Sequence, residues 1–153
     1  MKVMYTAEVT TEGARHGHAT SSDGLIDIEL ARPVEMGGTG KATNPEQLFG
    51  AAYSACFGGA VEYNAQQKKI KTGTITVKSR VSLGRFDPDE GEGFGIKVDL
   101  DVTLPEMEQA AAEELVAWAH RTCPYSNATR GNIDVLLTAN GRHVEQDAEP
   151  VSA

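Results

Sequence analysis

NPEQLFGAAYSACFGGAVEYNAQQKK, residues 44–69, carries the signals of a long helix from its first residue. Asn44 is a favoured N-cap, Pro45 suits the first helical position, and Gln47 follows the cap at capping-box spacing. These features predict a helix from Pro45 to about Lys69. Leu48, Phe49, Ala52, Tyr53, Cys56, Phe57 and Ala60 make it apolar on most faces, as a central buried helix should be. The Gly58-Gly59 pair costs about 1 kcal/mol per glycine against alanine, so a closely packed backbone, or a bend, is expected there.

Outward from this helix the chain reads as strands and turns. RPVEMGGTGKAT, residues 32–43, has loop composition. Before it, Met4 to Thr10 and Leu25 to Leu30 have strand texture, with a short strand between them bounded by Gly13, Gly17 and Asp23-Gly24. After the helix, Thr74 to Leu83 and Phe94 to Leu104 alternate apolar and polar residues, which predicts an antiparallel hairpin joined by the acidic turn FDPDEGEG. Pro105 opens a second helix that runs to about Arg121. Its early Glu106 and Glu108, and its late His120 and Arg121, suit the helix dipole. CPYSNATRGN reads as a turn-rich joint before a last strand, Ile133 to Thr138, and Trp118 as a core residue of the second helix. The fold class is α+β, with one domain over residues 1–140 and a polar tail over 141–153.

Composition removes several functions. A chain of 153 residues, 40% hydrophobic, supports one domain with a genuine core. A net charge of -8 disfavours nucleic acid and anionic membrane surfaces as partners. No apolar run approaches the roughly 20 residues that span a bilayer, and MKVMYTAEVT lacks a secretory pattern, so a cytoplasmic protein is expected. GGTGKAT resembles a phosphate-binding loop but has Glu35 and Ala42 where that loop needs glycine and a magnesium-binding hydroxyl. His16-Gly17-His18 offers two imidazoles without a third ligand, and FDPDEGEG lacks calcium-loop spacing, so neither metal nor bound cofactor is expected.

The two cysteines differ in setting. Cys56 lies mid-helix among apolar residues, and Cys123 precedes Pro124 beside a polar turn. Two cysteines are too few for a secreted disulfide scaffold and read, on count alone, as buried bystanders. At neutral pH only about 3% of an ordinary thiol is ionised, and burial lowers that fraction. Reactivity therefore demands a cation. A mid-helix residue gains little from the helix dipole, which leaves an arginine guanidinium as its source.

TNPEQLFGAAYSACF (Thr43 to Phe57) and HRTCPYSNATRGNIDV (His120 to Val135) resemble the two signature segments of the organic hydroperoxide resistance (Ohr) branch of the OsmC/Ohr superfamily. An earlier ARHG, then TSSDG and a glycine-rich loop, follow the same order, so the resemblance leaves only the tail outside it. It implies antiparallel sheets around a long central helix in an intertwined homodimer. It also implies that Cys56 is the peroxidatic cysteine, Cys123 the resolving one, Arg15 the activating cation and Glu46 the carboxylate that positions it. Arg32 is the competing candidate for Arg15. The implied substrate is an organic hydroperoxide and the implied electron donor a dihydrolipoyl group on a lipoylated protein. Leu48, Phe49, Tyr53, Phe57 and Tyr125, near the cysteines in sequence, are the candidate apolar pocket.

Spacing adds one constraint. On a continuous helix the ten residues from Glu46 to Cys56 span about 15 Å, too far for a shared contact. Arg15 and Glu46 of one subunit are therefore expected to face Cys56 and Cys123 of the other. Two other readings remain: an OsmC-branch peroxidase of broader specificity, disfavoured by NPEQLF and CPYSNATRGN, and a redox-responsive binding protein that does not turn over.

Overall fold

The predicted central helix forms as α1, Pro45–Lys68, in a computed structural model that describes residues 1–89 and 91–145. The Asn44 side chain accepts the Gln47 N–H at 3.0 Å, the expected cap. Gln47 does not complete the capping box; its side-chain oxygen accepts the Thr43 hydroxyl at 2.9 Å instead. Contacts divide the chain into two units, Met1–Leu48 and the part from Phe49 onward.

The first unit contains an antiparallel sheet of β1 (Val9–Glu12), β2 (His18–Ser21) and β3 (Asp27–Glu29), in that order. The strand expected from Met4 begins only at Val9, because its partner β2 ends at Ser21 and turns away through Asp23-Gly24. Ala19, Leu30 and Asn44 are its buried residues, while Val3, Met4, Tyr5, Val9 and Leu25 are exposed.

The second unit holds a four-stranded sheet. β4 (Thr76–Arg85) and β5 (Phe94–Thr103) form the expected hairpin, paired from Thr76↔Thr103 to Arg85↔Phe94. β6 (Val135–Ala139) adds to β5 in parallel, so this sheet is mixed rather than wholly antiparallel. The crossover between β5 and β6 carries α2 (Gln109–Thr122) and α3 (Pro124–Thr129). Tyr53, Phe57 and Val61 of α1 join Val98, Leu100 and Val102 of β5, Val116 of α2 and Leu137 of β6 in one buried cluster. The α1 residues buried here recur at helical spacing, which turns one face of the helix to the core. Gly58 meets the Val77 side chain of β4 rather than a backbone, and Gly59 faces open space.

Three expectations are corrected. α2 starts at Gln109, not Pro105: Met107 donates its N–H to the Leu104 carbonyl at 3.1 Å, and Pro105 serves that turn. CPYSNAT is not an irregular joint, since Pro124 at the first helical position and the Asn127 N–H on the Cys123 carbonyl (2.9 Å) make it α3. The final strand is not β6. Asn140 and Gly141, both at positive φ (47° and 82°), turn the chain into β7 (Arg142–His143), which pairs with β6 and buries Val144. That turn draws the first residues of the expected tail into the fold; 146–153 lie outside the described residues.

Candidate active site

Arg15 stands on a tight turn, a short 3-10 segment Ala14–His16. Gly13 takes φ 76°, and a side chain on Gly17 would lie 1.6 Å from the Glu12 carbonyl oxygen, so only glycine fits there. Ala14, at φ 53°, also adopts the left-handed region. This turn aims the Arg15 guanidinium at Glu46 in the first turn of α1. Nη1 donates to Oε2 at 2.9 Å and Nη2 to Oε1 at 2.7 Å, a bidentate fork within the first unit. The hydrogen bond from Arg15 holds the Glu46 carboxyl below the usual carboxylate range, and the same bond raises Arg15 above its ordinary value. Two guanidinium donors are used, and three remain for an anion.

Cys56 and Cys123 meet in the second unit. Both are free thiols, with Sγ atoms 3.6 Å apart, against about 2.05 Å in a formed disulfide. Cys123 is fully buried at the joint of two helices: its N–H closes α2 on the Ala119 carbonyl at 2.8 Å, and its carbonyl receives the first turn of α3. Cys56 is partly buried on the flank of α1. Burial pushes its thiol up; the Tyr125 backbone N–H, donated to the sulfur, pulls it down; and the Cys123 thiol pushes it up again. The net direction is upward, so these neighbours do not make a thiolate at neutral pH.

The expected pocket residues have unequal places. Phe49, Tyr53 and Tyr125 cluster, with ring centroids 5.8 to 6.1 Å apart. Tyr53 and Phe57 are fully buried, so they form the floor of the cluster and not an accessible wall. Leu48 is exposed and belongs to the first unit. His18 is engaged across the first sheet by Glu29 at 2.9 Å and Asp27 at 2.5 Å. Trp118 packs against the core with Lys68 Nζ 5.0 Å from its ring centroid.

Sequence reading missed Ser126 and Thr129, whose hydroxyls meet the Tyr53 phenol at 3.0 and 3.1 Å. Their spacing of three, after a proline at a helix start, is the signal that places both on one helical face.

A thiol pair within bonding reach and a forked Arg–Glu pair, on an α+β fold of two sheets and one long helix, define a class. The family model described as OsmC-like protein matches residues 38–138, and the chain belongs to the OsmC/Ohr family. It is similar to the organic hydroperoxide resistance protein of Xanthomonas axonopodis pv. citri, 50% identical over 139 residues, which cover 90% of this chain and 95% of that one. Among solved structures it is similar to an organic hydroperoxide resistance protein of Legionella pneumophila, with TM-score 0.85, 45% identity and coverage of 90% and 98%. OhrB of Bacillus subtilis gives TM-score 0.78, 45% identity and coverage of 88% and 98%.

Proposed function

We propose that this protein is a thiol-dependent peroxidase that reduces alkyl or lipid hydroperoxides to alcohols. The observation that carries the reading is the 3.6 Å approach of the Cys56 and Cys123 sulfurs, in a family whose members above are named for organic hydroperoxide resistance. The Cys56 thiolate attacks the terminal peroxide oxygen, the O–O bond breaks, and an alkoxide leaves and takes up a proton as alcohol, with Cys56 oxidised to sulfenic acid. The Cys123 thiol then displaces that hydroxyl as water and closes a disulfide, which guards Cys56 from irreversible oxidation. A dithiol of the lipoyl class, carried on a lipoylated protein, returns two electrons and reopens it by exchange.

Because its own neighbours hold Cys56 protonated, the attack requires a cation, and Arg15 organised by Glu46 is the proposed source. The spacing along α1 favours delivery by the second subunit of a homodimer. Support for that assembly comes from the first unit, whose Val3, Met4, Tyr5, Val9 and Leu25 are exposed and whose core is small. The aromatic surfaces of Phe49 and Tyr125 would take the apolar tail of the hydroperoxide; burial there is worth about 25 cal/mol per Å², which favours organic hydroperoxides over hydrogen peroxide. We place the reaction in the cytoplasm. Among the described residues no helix is long and apolar enough to cross a membrane.

The test is steady consumption of cumene hydroperoxide with dihydrolipoamide as reductant. Continuous turnover that Cys56→Ser abolishes supports the peroxidase. A single stoichiometric oxidation without turnover sinks it in favour of a redox-responsive binding protein.

A further inference from the structure

Beside the thiol pair, three hydroxyls meet in the packed interior of the second unit. Tyr53 and Ser126 are fully buried, and Thr129 is 8% exposed. The Thr129 hydroxyl reaches the Tyr125 carbonyl at 2.9 Å and the Ser126 carbonyl at 3.4 Å. The Tyr53 phenol lies 3.1 Å from the Thr129 hydroxyl and 3.0 Å from the Ser126 hydroxyl, and either partner can donate in each contact. These contacts form a chain from Ser126 through Tyr53 and Thr129 to the Tyr125 backbone.

The end of this chain matters because of what Tyr125 flanks. Its carbonyl receives the chain, while its N–H lies against the Cys56 sulfur. Two residues earlier, Cys123 is pinned through its backbone to α2 and α3. Tyr53 ties this turn to α1, three residues before Cys56.

We infer that Tyr53 is a positioning residue for disulfide closure: its hydroxyl, acting through Ser126 and Thr129, fixes the Cys123–Ser126 turn against α1 so that the Cys123 sulfur stays within reach of Cys56. The inference deepens the peroxidase reading and rests on it for its consequence in turnover, but closure itself is measurable without a peroxide.

The experiment uses the full chain, reduced, with Tyr53→Phe, Thr129→Val and Thr129→Ser. Diamide takes two electrons and two protons from the thiols, becoming a hydrazine as the S–S bond forms, and closure is followed by intact mass. Tyr53→Phe and Thr129→Val should close on the order of tenfold more slowly than wild type, the effect of a small misplacement of reacting atoms, while Thr129→Ser keeps the wild-type rate. Circular dichroism checks that each variant is folded, and if Tyr53→Phe is not, the Thr129→Val and Thr129→Ser pair decides. With cumene hydroperoxide, Tyr53→Phe should divert a larger fraction of its oxidised Cys56 to sulfinic acid than wild type does. Wild-type closure rates in the folded hydroxyl-free variants would overturn the inference. A wild-type chain that closes with diamide yet ignores cumene hydroperoxide would sink the peroxidase reading alone, since the diamide rates still decide the role of Tyr53.

Discussion

Arg15 occupies a turn of left-handed residues on a sheet that buries little beyond Ala19, whereas Cys123 sits fully buried between two helices and a four-stranded sheet. The first unit holds the Arg15 side chain by backbone geometry and a charge-assisted fork to Glu46. The second holds its thiols by packing and by hydroxyls that water does not reach. The difference teaches which perturbation each pair should feel: the Arg–Glu pair should respond to charge, pH and salt, and the thiol pair to lost volume and lost hydroxyls.

The contrast can be broken in order of expected effect. Phe57→Ala removes a fully buried ring from the second unit and should lower unfolding free energy by about 3–5 kcal/mol, read from the urea midpoint at fixed protein concentration. A loss below about 1 kcal/mol would mean that packing does not hold this unit. Arg15→Ala should leave that midpoint nearly unchanged yet raise the Cys56 pKa by about 1–3 units, seen in the pH dependence of its alkylation rate. If Arg32→Ala has that effect and Arg15→Ala does not, the activating role passes to Arg32. Cys123→Ser should preserve the first attack on cumene hydroperoxide while Cys56 accumulates as sulfinic acid; normal recycling by mass spectrometry would contradict a resolving role.

What could be read beforehand follows from the range of each signal. α1 was legible because its cap, its proline and its apolar face are all local, and β4 and β5 because ten-residue alternation is hard to mistake. α3 is too short for periodicity to appear, and Pro105 is equally at home opening a turn or a helix. Asn140-Gly141 is a strong hairpin signal, but the strand beyond it has only two residues and a polar sequence. Cys56, Cys123 and Glu46 stood out inside long motifs. The fork between Arg15 and Glu46, thirty-one residues apart, was expected only through the family resemblance, and the hydroxyl chain from Tyr53 to α3 was not expected, because both depend on which segments meet in three dimensions.

The smallest expected effect is also the cleanest test of charge in the first unit. Glu46 is held below its unfolded value of about 4.3, first of all by the Arg15 hydrogen bond. Its contribution to stability is therefore complete above that value and is lost as pH falls through the lower folded one, when the carboxylate takes up a proton and releases the guanidinium. Arg15 is 33% exposed, so water screens the pair and its worth is about 1 kcal/mol or less. Acid lability alone cannot assign this, because Asp101 in the second unit is lowered as well, by Thr138 and then by Arg80. The difference between wild type and Glu46→Gln isolates it. That difference should be constant above about pH 5, shrink as the pH falls below about 4, and be reduced near 1 M salt. A difference that grows on acidification would mean that the fork does not stabilise the first unit, and that the geometry of Arg15 is set by the Gly13–Gly17 turn alone.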